Sequence, residues 1–146
     1  VLFTFGKLIF TTNRETLNLM NTSLFILAGA LLITLALILY SRALIPVLKS
    51  RMLTKKQLII LSSGFVSEVI AVWCMAAIST QSAFTPHSLL GYAGAFVIFV
   101  SIIWGWKTAK DEEPWALSKC QFNFYRFVYI FWVISYVTGV YSAMSR

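Results

Sequence analysis

Charge is scarce in this chain, and negative charge is scarcest. Asp, Glu, Lys and Arg make up 12% of the 146 residues, five acidic against twelve basic. A soluble domain usually carries about 25%, and no polar stretch here is long enough to form one separately. With 59% hydrophobic residues and a mean hydropathy of +0.80, the composition excludes a soluble globular protein and reads as one integral membrane domain. There are two cysteines, Cys74 and Cys120. They form no CxxC or Cys/His metal spacing and no disulfide framework, so both read as small apolar packing groups. The single histidine, His87, excludes bis-histidine ligation within one chain. No Ser/His/Asp set, phosphate loop or metal-ligand cluster is present, so the chain does not read as an enzyme and no metal site is expected.

What the chain does have is long apolar runs. A spanning helix needs about 20 mostly apolar residues. Four segments qualify, at about 23–48, 57–80, 87–108 and 119–143. Their short connections predict an all-α, antiparallel four-helix membrane bundle over residues 20–146. The alternating ten-residue pattern of a membrane barrel is not seen.

Loop charge sets the expected orientation. The loop over 49–56 holds Lys49, Arg51, Lys55 and Lys56, and that over 107–119 holds Lys107, Lys110 and Lys119, partly offset by Asp111, Glu112 and Glu113. The connection QSAFTP carries no charge. Loops 49–56 and 107–119 are therefore expected to be cytoplasmic, with both termini outside. Trp106 and Trp115 are expected at the inner interface, and Pro46 is expected to kink or end the first helix near that surface. The excess of basic residues is assigned to lipid topology and not to nucleic acid, because no soluble module carries it.

Residues 1–19 are too short and interrupted to span. They read as an N-terminal extension, either interfacial on the outer face or non-native ahead of Met20, since MNTSLFILAG opens directly into the first span.

At about 100° per residue, one side of the second helix collects Gly64, Glu68, Met75 and Ser79, with Ala71 at its edge. Small residues on such a stripe let another helix approach, so Glu68 is expected to face the bundle. On the third helix His87, Gly91, Gly94, Ser101 and Gly105 share a stripe, with His87 at its outer end and Pro86 at the helix start. On the fourth helix Asn123, Arg126, Tyr129 and Tyr136 are read as the inward face, because a membrane arginine seeks a partner or water. The opposite face, Ser135, Thr138, Gly139 and Ser142, is read as a packing surface for another helix or subunit. A buried Glu68–Arg126 ion pair is expected to follow, with Tyr129 and Asn123 satisfying its remaining donors and acceptors. His87 and Ser79 form the outer polar group.

The order of these features resembles the HsmA-like family, small four-helix bacterial membrane proteins with no assigned reaction. The matching pieces are GFVSEVIAV with Glu68, HSLLGY with His87 and Gly91, and FYRFVYIFWVISYVTG with Arg126 and Gly139. The likeness covers about Met20 to Ala143, the whole spanning region. Two positions depart from the family pattern, which more often has aspartate where Glu68 stands and has a histidine where Tyr125 stands. The resemblance implies a multi-pass protein of the bacterial cytoplasmic (inner) membrane and draws attention to Glu68, His87 and Arg126.

Three functional expectations follow. The first is a non-enzymatic accessory or assembly subunit, partnered by lipid and by further copies of itself or a larger membrane complex. The second is proton or small-solute transport along Arg126, Glu68 and His87, because intramembrane ionisable residues often mark such paths. The third is haem, quinone or pigment binding through a single axial His87, with Gly91 and Gly94 making room for a flat ring; no cofactor is otherwise expected.

Overall fold

The computed structural model describes residues 2–78 and 86–144, with side chains over 22–77, 86–142 and at 144. Ser79 lies outside the described residues. Four helices account for nearly all of them: α1 (Leu2–Ser50), α2 (Lys55–Ile78), α3 (Pro86–Lys107) and α4 (Lys119–Met144). Two short strands, β1 (Met52–Leu53) and β2 (Trp115–Ala116), lie in the loops. All four helices are long and apolar enough to cross a membrane, the first over Thr22–Ser50. Residues 2–19, read from sequence as a separate extension, continue the first span as one helix.

Local chemistry fixes the helix ends. Pro86 opens α3, where its missing N–H is no loss and its fixed φ suits the first turn. Thr54 and Gln57 close a capping box at the start of α2. The Thr54 amide donates to Gln57 Oε1 (2.9 Å) and the Gln57 amide donates to Thr54 Oγ1 (3.2 Å). At α4, Ser118 Oγ accepts from the Gln121 amide (3.2 Å). The Gln121 side chain goes elsewhere, donating to Thr108 Oγ1 (2.7 Å) and tying α4 to the end of α3. Pro46 does not end α1, which runs on to Ser50. The stop comes at Arg51, whose φ of 57° is left-handed and turns the chain out of the helix. Its guanidinium then sits 4.8 Å from the Phe122 ring centroid on α4, a cation–π contact.

The helices pack as a ring, α1 against α2, α2 against α3, α3 against α4, and α4 against α1. Pairing registers show that neighbours run antiparallel. Ser41 meets Tyr129 (3.1 Å) and Thr34 meets Tyr136 (3.3 Å), so α1 and α4 advance in opposite directions. The same side of the bundle holds both basic loops. There β1 pairs antiparallel with β2, Met52 opposite Ala116 and Leu53 opposite Trp115, and the Leu117 amide donates to Arg51 O (3.0 Å). This small lid presses Leu53 and Trp115 into the end of the core. Trp115 is thereby buried under the lid, whereas Trp106 is exposed.

The outward surfaces are apolar along most of their length. Leu31, Trp73, Phe96 and Val137 are all exposed. The buried core, from Tyr40 and Val47 on α1 to Tyr125 and Trp132 on α4, lies in the half of the bundle nearer the lid.

Candidate functional site

Glu68 is the buried ionisable group in the middle of α2. It lies 13 residues into the helix from Lys55 (68 − 55), about 20 Å along the axis. Trp132 lies 13 residues into α4 from Lys119 (132 − 119), and Tyr40 lies 10 residues from the end of α1 (50 − 40). The three therefore share one level of the bundle. Glu68 is 4% exposed, Trp132 2% and Tyr40 0%.

The three side chains form one polar cluster. The Tyr40 hydroxyl donates to Glu68 Oε2 at 2.6 Å, and Trp132 Nε1 donates to Glu68 Oε1 at 2.8 Å. The two aromatic rings meet edge to face, with centroids 4.9 Å apart and planes at 84°, a favoured arrangement for aromatic pairs. One carboxyl group thus ties α2 to both α1 and α4. The neighbouring Ser67 hydroxyl adds a second tie by donating to the Leu32 carbonyl of α1 (2.8 Å). A buried carboxyl group requires such partners, because leaving it without them costs several kilocalories per mole.

Glycines make the cluster sterically accessible. A Cβ at Gly64 would lie 2.7 Å from Tyr40 Cε1, so only glycine leaves room for this ring. Gly29 on α1 takes Met75 of α2 in the same way, 2.9 Å from its Cγ. The two notches are reciprocal. Eleven residues separate Gly29 from Tyr40 and Gly64 from Met75 (40 − 29, 75 − 64), about three helical turns. On the other side of the ring, Gly105 of α3 receives the Tyr125 hydroxyl (2.6 Å from a Cβ), which donates to Ser101 O (2.9 Å). The small residues of these stripes therefore receive neighbouring side chains, Tyr40 at Gly64 and Leu58 with Tyr125 at Gly105, while at Gly29 the Ala71 carbonyl also comes within 3.5 Å of a Cβ.

The expected Glu68–Arg126 pair does not form. Among the described residues no cation pairs with Glu68, and the ion pair that is present joins Lys55 to Asp111 at the lid (3.7 Å). Arg126 and Asn123 are exposed on the outward face of α4. Tyr129 bonds to Ser41, and Tyr136 to Thr34. The inward face of α4 is instead Gln121, Tyr125, Val128, Trp132 and Ser135. The physical reason is the cost of burying ions. Two charges removed from water must recover several kilocalories per mole each, whereas neutral phenol and indole donors satisfy the carboxyl group and fill the core. The sequence signal for this was available: Tyr40 and Trp132 are aromatic side chains with a polar end, and such groups seek a hydrogen-bond partner when buried.

His87 stands apart from this cluster. It is exposed at the start of α3, and its ring packs over Gly139 of α4, where a Cβ would lie 2.7 Å from His87 Cε1. Gly139, read from sequence as part of a partner-packing face, is thus a notch for the histidine of the neighbouring helix. A Cβ at Gly91 would meet nothing within 4 Å, and one at Gly94 would touch Trp132 Cδ1 at 3.7 Å. No group of three or more His, Cys, Asp or Glu side chains is placed to hold a metal ion among the described residues. Cys74 is buried and Cys120 exposed, both as free thiols.

Comparison of the chain with protein-family models, with curated proteins and with solved structures finds no match.

Proposed function

We propose that this chain is a multi-pass protein of the bacterial cytoplasmic membrane, with both termini outside and the loops over 49–56 and 107–119 cytoplasmic. Its role is that of a non-enzymatic interaction or assembly subunit. The apolar outward surface supports insertion, and the basic residues of both loops support the orientation.

The observation that carries the assembly reading is the engagement of Glu68. Both of its oxygens accept from donors on two other helices, inside a packed core. The mid-span carboxyl group is used to fix which helices meet, a known role of buried polar groups in bundles. In a bilayer this matters more than in water, because apolar contact gives helices no preference for one another over lipid.

A second reading, proton passage, has one observation behind it. The hydroxyl pairs Ser41–Tyr129 and Thr34–Tyr136 lie between α1 and α4 on either side of the Glu68 level. One experiment separates the two. After gentle detergent extraction, the assembly reading requires a complex heavier than one chain, disrupted by loosening the bundle with Gly64→Ala. A single chain that carries protons into vesicles, and stops doing so with Glu68→Gln, would contradict it.

A further inference from the structure

On α4 the residues Lys119, Asn123 and Arg126 fall at spacings of four and three. They project within about 60° of one another around the axis, directly opposite the buried face of Gln121, Tyr125, Val128 and Trp132. All three are exposed, and among the described residues none of them is joined to an acidic side chain. The stripe starts at the lid end and enters the span by seven residues (126 − 119), about 10 Å. Ile130, next on the same stripe, is exposed and apolar, so the polar run stops there. This stripe helps to make α4 the least apolar of the four candidate spans.

We propose that Lys119, Asn123 and Arg126 bind the phosphate headgroup of an anionic phospholipid in the leaflet facing the two basic loops. The inference rests on the membrane reading above. Side chains of a helix tilt toward its N-terminus, which here is the lid end. The Arg126 guanidinium is thus directed up the stripe toward Asn123 and Lys119, to the depth at which headgroups begin, and a long side chain spans such a distance by snorkelling. Two cations and an amide then converge on one oxyanion. Guanidinium offers phosphate two parallel hydrogen bonds, and the amide supplies a neutral donor. Charge complementarity selects the occupant, since an outward arginine in hydrocarbon is costly unless water or a counter-charge meets it, and anionic headgroups supply that charge at this depth. Arg42, exposed on α1, shares its side of that helix with Lys49 seven residues on, but exposed Ile45 and Pro46 stand between them in place of an amide and its side chain tilts toward the helix N-terminus, away from the lid, so it serves as the control.

The test is native mass spectrometry of the detergent-solubilised chain titrated with equal amounts of phosphatidylglycerol and phosphatidylcholine. We expect phosphatidylglycerol adducts to be favoured. Arg126→Gln should reduce that preference about fivefold, the effect of one basic residue at a charged surface. Lys119→Gln and Asn123→Ala should each remove part of it, and Arg42→Gln should leave it intact. Because the three residues point away from the core, these variants should elute and unfold like the parent chain. An absence of preference in the parent chain, its survival in Arg126→Gln, or an equal loss in Arg42→Gln would overturn the proposal. So would an adduct that is a polypeptide, a second copy included, and that Arg126→Gln releases. Alkaline carbonate extraction separates the two levels. A chain washed off membranes refutes the spanning reading itself, whereas a chain that stays embedded without lipid preference refutes the headgroup site alone.

Discussion

The Tyr40 hydroxyl donates to Glu68 Oε2 across 2.6 Å, from α1 to α2, with both residues buried. Removing that hydroxyl with Tyr40→Phe leaves the carboxyl group one partner short while keeping the ring over Gly64. We expect a loss of about 1–3 kcal/mol, the range for an unsatisfied buried polar group, measured by reversible unfolding in mixed micelles. Trp132→Phe should cost at least as much, because it also removes ring area. Glu68→Gln should cost much less than Glu68→Leu, since an amide keeps one acceptor for Trp132 and offers a donor to the Tyr40 oxygen.

Two glycines of one sequence type should behave oppositely. In Gly64→Ala the new methyl would lie 2.7 Å from Tyr40 Cε1 and 2.8 Å from Cδ1. The ring must shift and the Tyr40–Glu68 bond must lengthen, so the melting temperature should fall. In Gly91→Ala the methyl meets nothing within 4 Å, and alanine gains about 1 kcal/mol of helix propensity over glycine. That variant should melt at the same temperature or higher.

The capping box at α2 should be measurable on its own. Thr54→Ala removes the acceptor for the Gln57 amide and should cost about 0.5–2 kcal/mol. Ser118→Ala at α4 likewise removes the acceptor of one amide and should cost a similar amount. Gln57→Ala should remove the other half of the α2 box, the acceptor of the Thr54 amide, and add to the loss in Thr54→Ala in the same unfolding assay.

Orientation can be read from the thiols. Cys120 is exposed, one residue after the start of α4 at the lid end, and Cys74 is buried. A membrane-impermeant maleimide should leave intact cells unlabelled and should label Cys120 once the inner face is opened. Labelling of Cys120 in intact cells would reverse the assigned topology.

The helices were legible in the sequence because lipid-length apolar runs and loop charge are strong, local signals. The second, third and fourth spans begin and end within about two residues of the expected bounds. The inward aim of Glu68 was legible too, from the small residues Gly64 and Ala71 sharing its stripe. Its partners were not. Formal charge drew attention to Arg126, but the face of α4 was decided by the volume and polar ends of Tyr125 and Trp132, which the apolar pattern reads as filling. The lid strands carry no such signal, because two-residue pairings have no periodicity. The capping box Thr54-x-x-Gln57 carries a helix-start signature, but the apolar pattern, which begins the second span at about 57, does not use it.

The most direct measurement is a pair of double-mutant cycles on stability, both built on Glu68→Leu. Combined with Tyr40→Phe, the cycle should give a coupling of about 1–3 kcal/mol, as expected for groups in contact. Combined with Arg126→Gln, it should give none beyond about 0.5 kcal/mol, the additivity of distant sites. Strong coupling of Glu68 to Arg126, with none to Tyr40, would contradict a carboxyl group held by neutral donors.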